Sequence, residues 1–464
     1  MNQNVEDFFG KIKGKKIALC GIGGSNLPLA ELFLNKGAKI FACDSRTKEA
    51  LGETAQILEK NGAVLQLGKG YLNNLSEMDI VFRTPGMKFY LPELTAAREN
   101  GVVVTSEMEL FFDLCPCEIF AVTGSDGKTT TTTIISEMLK ASGRTVHLGG
   151  NIGRPLLPII EQVKFDDVAV VELSSFQLIS MRESPDVAVV TNLAPNHLDI
   201  HKDMAEYIDA KKNILLHQNA FSRTVLNLDN EITKGFANTV RGDVFLFSRQ
   251  KRCQRGAWVS EDGTIFMSWN GTTTELMKKS DIRIPGNHNV ENYLAAICAV
   301  WGYVTPEQMR DVAKTFGGVE HRSEFVREVN GVRYYNDSIA SSPTRTASGT
   351  LSLYDQKIII IAGGYDKKIP FDELGPIIVD KVKLLILLGN TADKIEEAVK
   401  KSSAYFEGNP KIIRVSSMEE AVNAAYQNAE KGDIVSMSPA CASFDLYPNF
   451  AARGNHFKEL VRKL

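Results

Sequence analysis

Short, unbroken apolar runs recur along the chain, each followed by a polar or glycine-bearing turn and then by a stretch with helical spacing. The first unit reads Lys16-Ile-Ala-Leu-Cys20 as a strand, Gly21-Ile-Gly-Gly24 as a turn, Leu27 to Asn35 as a helix, and Ala38 to Cys43 as a second strand ending in Asp44. A further strand, Asp79 to Phe82, runs into Arg83-Thr-Pro-Gly86. A second unit opens at Glu118-Ile-Phe-Ala-Val-Thr123 and continues with strand-like runs at Asp167 to Val171 and Asp186 to Thr191. A third begins near Glu320 and carries Lys357 to Ala362, Lys383 to Leu388 and Asp433 to Met437. Strands that are apolar throughout and alternate with helices imply parallel sheets covered on both faces. The expected fold is therefore α/β, with three domains in series at 1–107, 108–318 and 319–464.

Composition narrows the picture slightly. A formal net charge of -3 gives no reason to expect nucleic acid or an anionic membrane as a partner. No apolar run reaches the ~18 residues that a spanning helix needs, so no membrane insertion is expected. The segment Met1 to Phe9 lacks the pattern of a secretory signal. The seven cysteines, Cys20, Cys43, Cys115, Cys117, Cys253, Cys298 and Cys441, mostly lie in apolar runs and read as buried reduced thiols of a cytoplasmic protein. Cys115-Pro-Cys117 is the one close pair, and without a second pair or a nearby histidine it does not read as a metal site.

The sharpest local signal is Thr123-Gly-Ser-Asp-Gly-Lys-Thr-Thr130, set between an apolar strand and the helical run Thr131 to Lys140. Glycines there let backbone N–H groups face phosphate oxygens, and the helix start adds a positive end. Gly124, Ser125, Asp126, Gly127 and Thr130 would form the cradle. Lys128 would reach the terminal phosphates of ATP, and the Thr129 hydroxyl would take Mg2+. The spacing departs from the common P-loop, which has a glycine where Val122 stands. Glu172, at the end of a strand of the same unit, is placed to help hold the cation. His197 and Asp199 lie on the loop after the next strand. Lys211, in the helical stretch Met204 to Leu216, reads by itself as a solvated side chain.

Five polar clusters exceed what a core requires: Pro285-Gly-Asn-His-Asn-Val-Glu-Asn292, Glu320-His-Arg-Ser-Glu324, Tyr335-Asn-Asp-Ser338, Gly363-Gly-Tyr-Asp-Lys367 and Ser438-Pro-Ala-Cys-Ala-Ser-Phe-Asp445. Several follow strands, at the carboxyl ends where open α/β sheets bind ligands. Gly21-Ile-Gly-Gly-Ser-Asn26 approximates a dinucleotide loop with Asn26 in place of the third glycine, and Asp44 follows at the spacing of a ribose ligand. That favours a nucleotide diphosphate without showing NAD.

In these residues the chain resembles the Mur ligases of bacterial cell-wall synthesis, over nearly its whole length and in the same order. Thr-Gly-Ser-Asp-Gly-Lys-Thr-Thr, Gly-Gly-Asn151-Ile-Gly, Glu172-Leu-Ser-Ser-Phe-Gln, Asn-His197-Leu-Asp, Asn-His-Asn289 and Glu-His-Arg322 look like the general ligase set. Ser438-Pro-Ala-Cys-Ala-Ser-Phe-Asp with Asn449-Phe-Ala-Ala-Arg-Gly454 looks like the signature of the D-glutamate-adding branch. The Asp-Asn-Pro-Arg motif of the diaminopimelate- or lysine-adding branch is absent from the sequence.

The resemblance implies a Rossmann-like N-terminal domain, a central P-loop ATPase-like domain with a mostly parallel sheet, and a Rossmann-like C-terminal domain. It implies an ATP-dependent amide ligase, a cytoplasmic monomer that joins D-glutamate to UDP-N-acetylmuramoyl-L-alanine through an acyl phosphate. Lys128, His197 and Lys211 would be catalytic. Thr129, Glu172, His197 and Lys211 would serve two Mg2+ ions, with Lys211 carbamylated and Lys212 the alternative. Asn289, Asn292, Arg322 and Asp337 would complete the ATP site. Ser25, Asn26, Asp44, Ser45, Arg46, Gly86 and Asn151 would bind the UDP substrate. Lys367, Ser443 and Phe444 would hold the amino acid.

One departure stands out. Many relatives carry a lysine in the loop where this chain has Asn336-Asp-Ser-Ile339-Ala-Ser341, and Arg345 is the nearest substitute charge. Two other readings stay open here. A folylpolyglutamate synthase-like ligase shares the ATP site but lacks the N-terminal nucleotide unit. A non-catalytic nucleotide-binding homologue finds its only support in Ile339. A dehydrogenase would leave the phosphate loop without a role.

Overall fold

The computed structural model describes residues 3–195 and 200–464. The N-terminal sheet contains β1 (Lys16–Cys20), β2 (Lys39–Asp44), β3 (Val64–Leu67), β4 (Ile80–Arg83) and β5 (Val103–Thr105). All neighbours run parallel, in the order β3-β2-β1-β4-β5. Strand order reverses between β1 and β4, so their C-terminal loops open a crevice. Those loops are Gly21 to Asn26 and Thr84 to Met87.

The central sheet contains β6 (Glu118–Thr123), β7 (Val146–Gly150), β8 (Val168–Glu172), β9 (Val187–Val190), β10 (Arg223–Asn227) and β11 (Asp243–Phe247). It is also parallel, ordered β11-β10-β9-β6-β8-β7. The loop after β6 is thus flanked by those after β8 and β9, on one edge of the sheet. A small antiparallel sheet of β12 (Gly256–Val259), β13 (Thr264–Trp269) and β14 (Thr272–Lys278) follows.

The C-terminal sheet is mixed: β15 (Glu324–Val329), β16 (Val332–Asn336), β17 (Ile358–Ala362), β18 (Val382–Leu387), β19 (Lys411–Arg414) and β20 (Ile434–Met437), ordered β15-β16-β20-β17-β18-β19. Only the β15–β16 pair is antiparallel. Ile358 to Ala362 is buried throughout, which is why that strand reads as an unbroken apolar run.

The chain divides into two compact units, residues 1–279 with 291–312, and residues 280–290 with 313–464. The first two sheets fall in one unit because they share apolar packing. Leu19, Phe33 and Phe82 of the first sheet region belong to the same cluster as Met108, Phe111, Ile119 and Val171. The helix Glu107–Leu114, where the sequence pattern places the first boundary, is therefore packed core rather than exposed linker. The Glu107 carboxylate is buried and accepts the backbone N–H groups of Leu156 and Leu157, both at 2.8 Å.

Residues 280–290 lie before the second expected boundary yet pack with the C-terminal unit. The Arg283 amide donates to the Ala313 carbonyl at 3.0 Å, and its guanidinium lies over the Phe325 ring at 4.1 Å. All seven cysteines are free, and all except Cys115 are buried. Among the described residues no helix is long and apolar enough to cross a membrane.

Candidate active site

The loop after β6 has the shape its glycines demand. Gly124 adopts φ 151, and a Cβ there would lie 1.9 Å from the Thr191 hydroxyl. Gly127 sits at φ 76 just before the helix Lys128–Ala141, and its Cβ would meet the Asn292 Oδ1 at 2.3 Å. Both positions have a positive φ that glycine adopts freely, and a side chain at either would have to displace a neighbour. The loop is tied to the segment after β9. The Ser125 amide donates to the Asn192 carbonyl at 2.8 Å, the Asp126 amide to Asn192 Oδ1 at 3.0 Å, and the Thr191 hydroxyl to the Asp126 carbonyl at 2.6 Å. Lys128 Nζ folds over the loop, donating to the carbonyls of Gly124 at 3.0 Å and Ser125 at 2.9 Å. Thr129 lies beside it in the helix's first turn and is partly exposed, whereas Thr130 is buried.

Glu172, at the end of β8, is 1% exposed. Its Oε1 accepts Asn151 Nδ2 at 2.7 Å, while Oε2 is buried with no hydrogen-bond partner among the described residues. A buried carboxylate oxygen left open beside a phosphate loop is a fitting ligand for a hard divalent cation.

Lys211 is 2% exposed and comes up from the helix Met204–Leu216 beneath the same loop. Its Nζ donates to Thr123 Oγ1 at 3.1 Å and to the Gly124 carbonyl at 2.8 Å. Burial, reinforced by the nearby Lys128 charge, pulls its pKa down to about 7. An amine that is neutral near physiological pH is a nucleophile, which a solvated lysine is not. Lys212 points elsewhere, over the Phe236 ring at 5.6 Å. His197 and Asp199 lie outside the described residues. Among the described residues no group of three or more histidine, cysteine, aspartate or glutamate side chains forms a closed metal cluster.

At the N-terminal crevice Asp44 is buried and structurally committed. Its Oδ2 accepts the Ile22 amide at 2.8 Å and Arg46 Nη2 at 2.9 Å; its Oδ1 accepts the Arg46 amide and Nε, both at 2.9 Å. The Arg46 guanidinium holds the carboxyl down at about 2. The carboxylate thus binds the turn after β1 to the segment Ser45–Arg46. Asn26 is 1% exposed and donates to the Cys20 carbonyl at 3.0 Å, while its Oδ1 is buried with no hydrogen-bond partner among the described residues. Ser25 is partly exposed, and Ser45, Arg46, Gly86 and Asn151 are exposed.

In the C-terminal unit Asp337 follows β16 and is 4% exposed. It accepts the Ser323 amide at 3.0 Å and the Thr350 hydroxyl, and burial raises its pKa to about 6. Arg322 is exposed beside it. Asn289 is buried and donates to the Pro285 carbonyl at 2.6 Å. Asn289 falls in the second compact unit and Asn292 in the first, although both lie on the helix Asn287–Val300.

Lys367 is exposed, with Nζ 3.4 Å from the Ser341 carbonyl. Arg345 reaches the Ile339 carbonyl at 3.5 Å, so both cations flank the segment Ile339 to Ser341. Ser443 is buried, and Phe444 is 63% exposed with its ring edge-on to Tyr365 at 5.8 Å. The reading of the sequence assigned no role to Arg453, which organises this region. Its buried guanidinium donates to Ser338 Oγ and O and to the carbonyls of Cys441 and Ala442, at 3.0 to 3.1 Å. It thereby ties two of the polar clusters together. Its place in Asn449-Phe-Ala-Ala-Arg-Gly454 was the available signal, but nothing in that run says that the side chain turns inward.

Comparison with known proteins decides the family. The model for a MurD-like N-terminal domain of Mur ligases matches residues 15–106, that for the Mur ligase middle domain residues 122–300, and that for the Mur ligase glutamate ligase domain residues 321–441. A UDP-N-acetylmuramoylalanine--D-glutamate ligase of Acetivibrio thermocellus is 54% identical over 466 residues, covering 100% of both chains. A protein of the same name from Clostridium botulinum strain Hall is 49% identical, again over 100% of both. The chain belongs to the Mur ligase family.

Solved Mur ligase structures share its fold. The UDP-N-acetylmuramate-alanine ligase MurC of Thermotoga maritima superposes with a TM-score of 0.55 at 19% identity, over 97% of this chain and 99% of that one. A pseudomurein peptide ligase type C from Methanothermus fervidus gives 0.54 at 18%, over 97% and 99%. As in the family, three domains follow one another in an α/β fold with mostly parallel sheets, and the chain is an ATP-dependent ligase of peptidoglycan precursor synthesis.

Proposed function

We propose that this protein adds D-glutamate to UDP-N-acetylmuramoyl-L-alanine in the cytoplasm, working as a monomer on three domains, 1–107 for the UDP substrate, 108–318 for ATP and 319–464 for the amino acid. The observation that carries the reading is full-length identity of 54% to a ligase of that name, together with a phosphate loop that has an open buried carboxylate oxygen and a desolvated lysine beside it.

A carboxylate does not acylate an amine at neutral pH until it has a leaving group. Transfer of the ATP γ-phosphoryl group to the UDP-muramoyl-alanine carboxylate supplies one, and ADP departs. The D-glutamate amine then attacks the acyl carbon, the amide forms, and inorganic phosphate leaves. Phosphoryl transfer is chiefly positioning and charge neutralisation. Gly124 to Thr130 cradle the phosphates, and Lys128 trades its loop carbonyls for phosphate oxygens. Asn289, Asn292, Arg322 and Asp337 form the remainder of the ATP site. Ser25, Asn26, Asp44, Ser45, Arg46, Gly86 and Asn151 make up the UDP-substrate site. Lys367, Ser443 and Phe444 receive D-glutamate, with the Lys367 ammonium facing a substrate carboxylate.

Thr129, Glu172 and His197 are the side chains that would hold two Mg2+ ions, which supply charge neutralisation at the transferring phosphoryl group. Lys211 joins them as a carbamate. Its neutral amine attacks CO2, a C–N bond forms, the nitrogen releases one proton, and the uncharged side chain becomes an anion suited to the second ion. The open Glu172 oxygen and the lowered Lys211 pKa support this set.

The test is phosphate release from ATP. Release that needs both UDP-N-acetylmuramoyl-L-alanine and D-glutamate is expected. Release with a folate acceptor would move the chain to a folylpolyglutamate synthase-like activity, and no release with any acceptor would leave a nucleotide-binding homologue.

A further inference from the structure

The first sheet touches the turn that follows Glu172 through one buried cation. Arg83 is the last residue of β4 and is 1% exposed. Its Nη2 donates to the Phe176 carbonyl at 2.8 Å and to Ser180 Oγ at 2.7 Å, while Nη1 reaches the Met87 carbonyl at 3.4 Å. One guanidinium therefore spans the crevice loop Thr84 to Met87 and the helical turn Ser175–Leu178, which begins three residues after Glu172. A second side chain also contacts this turn. His201 Nε2 lies 2.9 Å from Ser175 Oγ, and its ring stacks on Phe176 at 5.2 Å and 5°.

Arg83 makes these bonds to neutral acceptors alone, and its Nε has no partner among the described residues. A buried guanidinium without a bonded carboxylate is a poor device for stability, since an apolar side chain of similar volume avoids the desolvation cost. Its planar fork is well suited to holding two backbone segments at a fixed spacing. Glu172 is in turn fixed through its own backbone. Its carbonyl accepts the Asn151 amide at 2.8 Å, and the amide of Leu173 donates to the Val122 carbonyl at 2.9 Å, just before the phosphate loop. The turn that Arg83 holds is joined to Glu172 by only two backbone residues, Leu173 and Ser174, so a shift of the Thr84 to Met87 loop has a short route through Arg83 and the chain itself to the carboxylate.

We propose that Arg83 is a positioning residue that couples occupancy of the crevice at the N-terminal sheet to the placement of Glu172 beside the phosphate loop, so that the cation site is completed only when the UDP substrate is bound. This rests on the function proposed above. It adds a reason for ordered use of ATP: phosphoryl transfer waits for an acceptor, and idle hydrolysis is suppressed.

The experiment begins with the unaltered enzyme. Phosphate release that depends on both acceptor and D-glutamate establishes the activity by itself, and its failure would count against the proposed function before any variant is made. Binding of a non-hydrolysable ATP analogue with Mg2+ is then measured by calorimetry with and without UDP-N-acetylmuramoyl-L-alanine. In the unaltered enzyme the acceptor is expected to tighten analogue binding about tenfold, within the usual range of coupling between sites.

In Arg83→Met each ligand alone should bind within about twofold of the unaltered value while the coupling falls below about twofold. Its kcat should drop about tenfold or more, the cost of a misplaced catalytic group, with the KM for D-glutamate unchanged. Arg83→Lys, which keeps the charge but loses the fork, should recover part of the coupling. Should Arg83→Met fail to fold, as judged by circular dichroism, Ser180→Ala removes one acceptor and is expected to lower the coupling in the same sense. Three results would overturn the proposal: no coupling in the unaltered enzyme, full coupling and kcat in the variant that folds, or an equal weakening of both single-ligand affinities.

Discussion

Lys211 shows how far a side chain's chemistry can depart from its place in the sequence. In Tyr207-Ile-Asp-Ala-Lys211 it looks like an ordinary helical lysine, and only packing against Thr123 and Gly124 drives its pKa down to about 7. That shift has a stability consequence with a definite sign. Between about 7 and the unfolded value of 10.5 the unfolded chain binds the proton and the native lysine does not, so stability rises with pH across that window. Urea unfolding at pH 7.5 and 9.5 in bicarbonate-free buffer should show the native enzyme gaining roughly 2 kcal/mol relative to Lys211→Met. An identical pH response in both would mean that the amine is not desolvated. The same variant should lose turnover by about a thousandfold, the scale seen when one group that stabilises charge in a transition state is removed. Full activity in Lys211→Met would remove the carbamate from the mechanism. Asp44 makes the contrasting case. Its position at the end of β2 was legible from spacing to the glycine turn, but its two oxygens already accept four donors inside the protein. Asp44→Asn should therefore weaken acceptor binding by disordering the turn from Gly21 to Asn26, with ATP-analogue affinity preserved; calorimetry with each ligand separates the two.

Elements were legible where burial is two-sided. β6, β8, β9, β17 and β20 are buried along their length, apart from a partly buried first residue in β6, so each appears as a continuous apolar run in the sequence. The small antiparallel sheet was not read. β14 is Thr-Thr-Thr-Glu-Leu-Met-Lys with an exposed start, and such a strand resembles a polar loop. The first helix, Gln3–Ile12, was missed for a related reason. Val5, Phe9 and Ile12 form a buried stripe within an otherwise polar segment, too sparse to stand out as an apolar run. The candidate site divides along the same line. Motif order located the loops, but the inward turn of Arg453 and the reach of Arg83 depend on tertiary contacts that have no local signature. Glycines let the element-scale argument be tested. Gly124 and Gly143 both have positive φ, at 151 and 87, but a Cβ at Gly124 strikes Thr191 whereas one at Gly143 meets nothing within 4 Å. Gly143→Ala should cost about 1 kcal/mol of stability, the left-handed penalty alone, with ATP-analogue affinity intact. Gly124→Ala should abolish measurable analogue binding, because the loop must move to accept the methyl group. Comparable affinities in the two variants would show that the phosphates do not use this loop.

At the scale of the whole molecule the chain has separate cores. One apolar cluster runs from Val5 through Leu19, Phe111 and Val171, whereas Tyr335, Ile360, Leu385 and Val399 form another in the C-terminal unit. Chains built from units with their own cores do not unfold in a single two-state step. Calorimetry of the intact enzyme should therefore resolve two transitions. Ile360 is 0% exposed in the middle of β17, and Ile360→Ala should remove roughly 2–5 kcal/mol from the C-terminal transition alone. For a unit of this size that is a fall of roughly 10 °C in one melting temperature. UDP-N-acetylmuramoyl-L-alanine should act on the other transition, since its proposed ligands lie in the unit of residues 1–279 and 291–312. At a hundredfold excess over its dissociation constant it should add about 2.7 kcal/mol to that unit. The two perturbations are thus expected to move different peaks. The physical reason is that both the acceptor crevice and the phosphate loop are built on sheets that share one continuous apolar core. If the acceptor instead shifted the peak lowered by Ile360→Ala, either the acceptor site would have to be moved to the C-terminal unit or the unfolding would have to be read as one cooperative event.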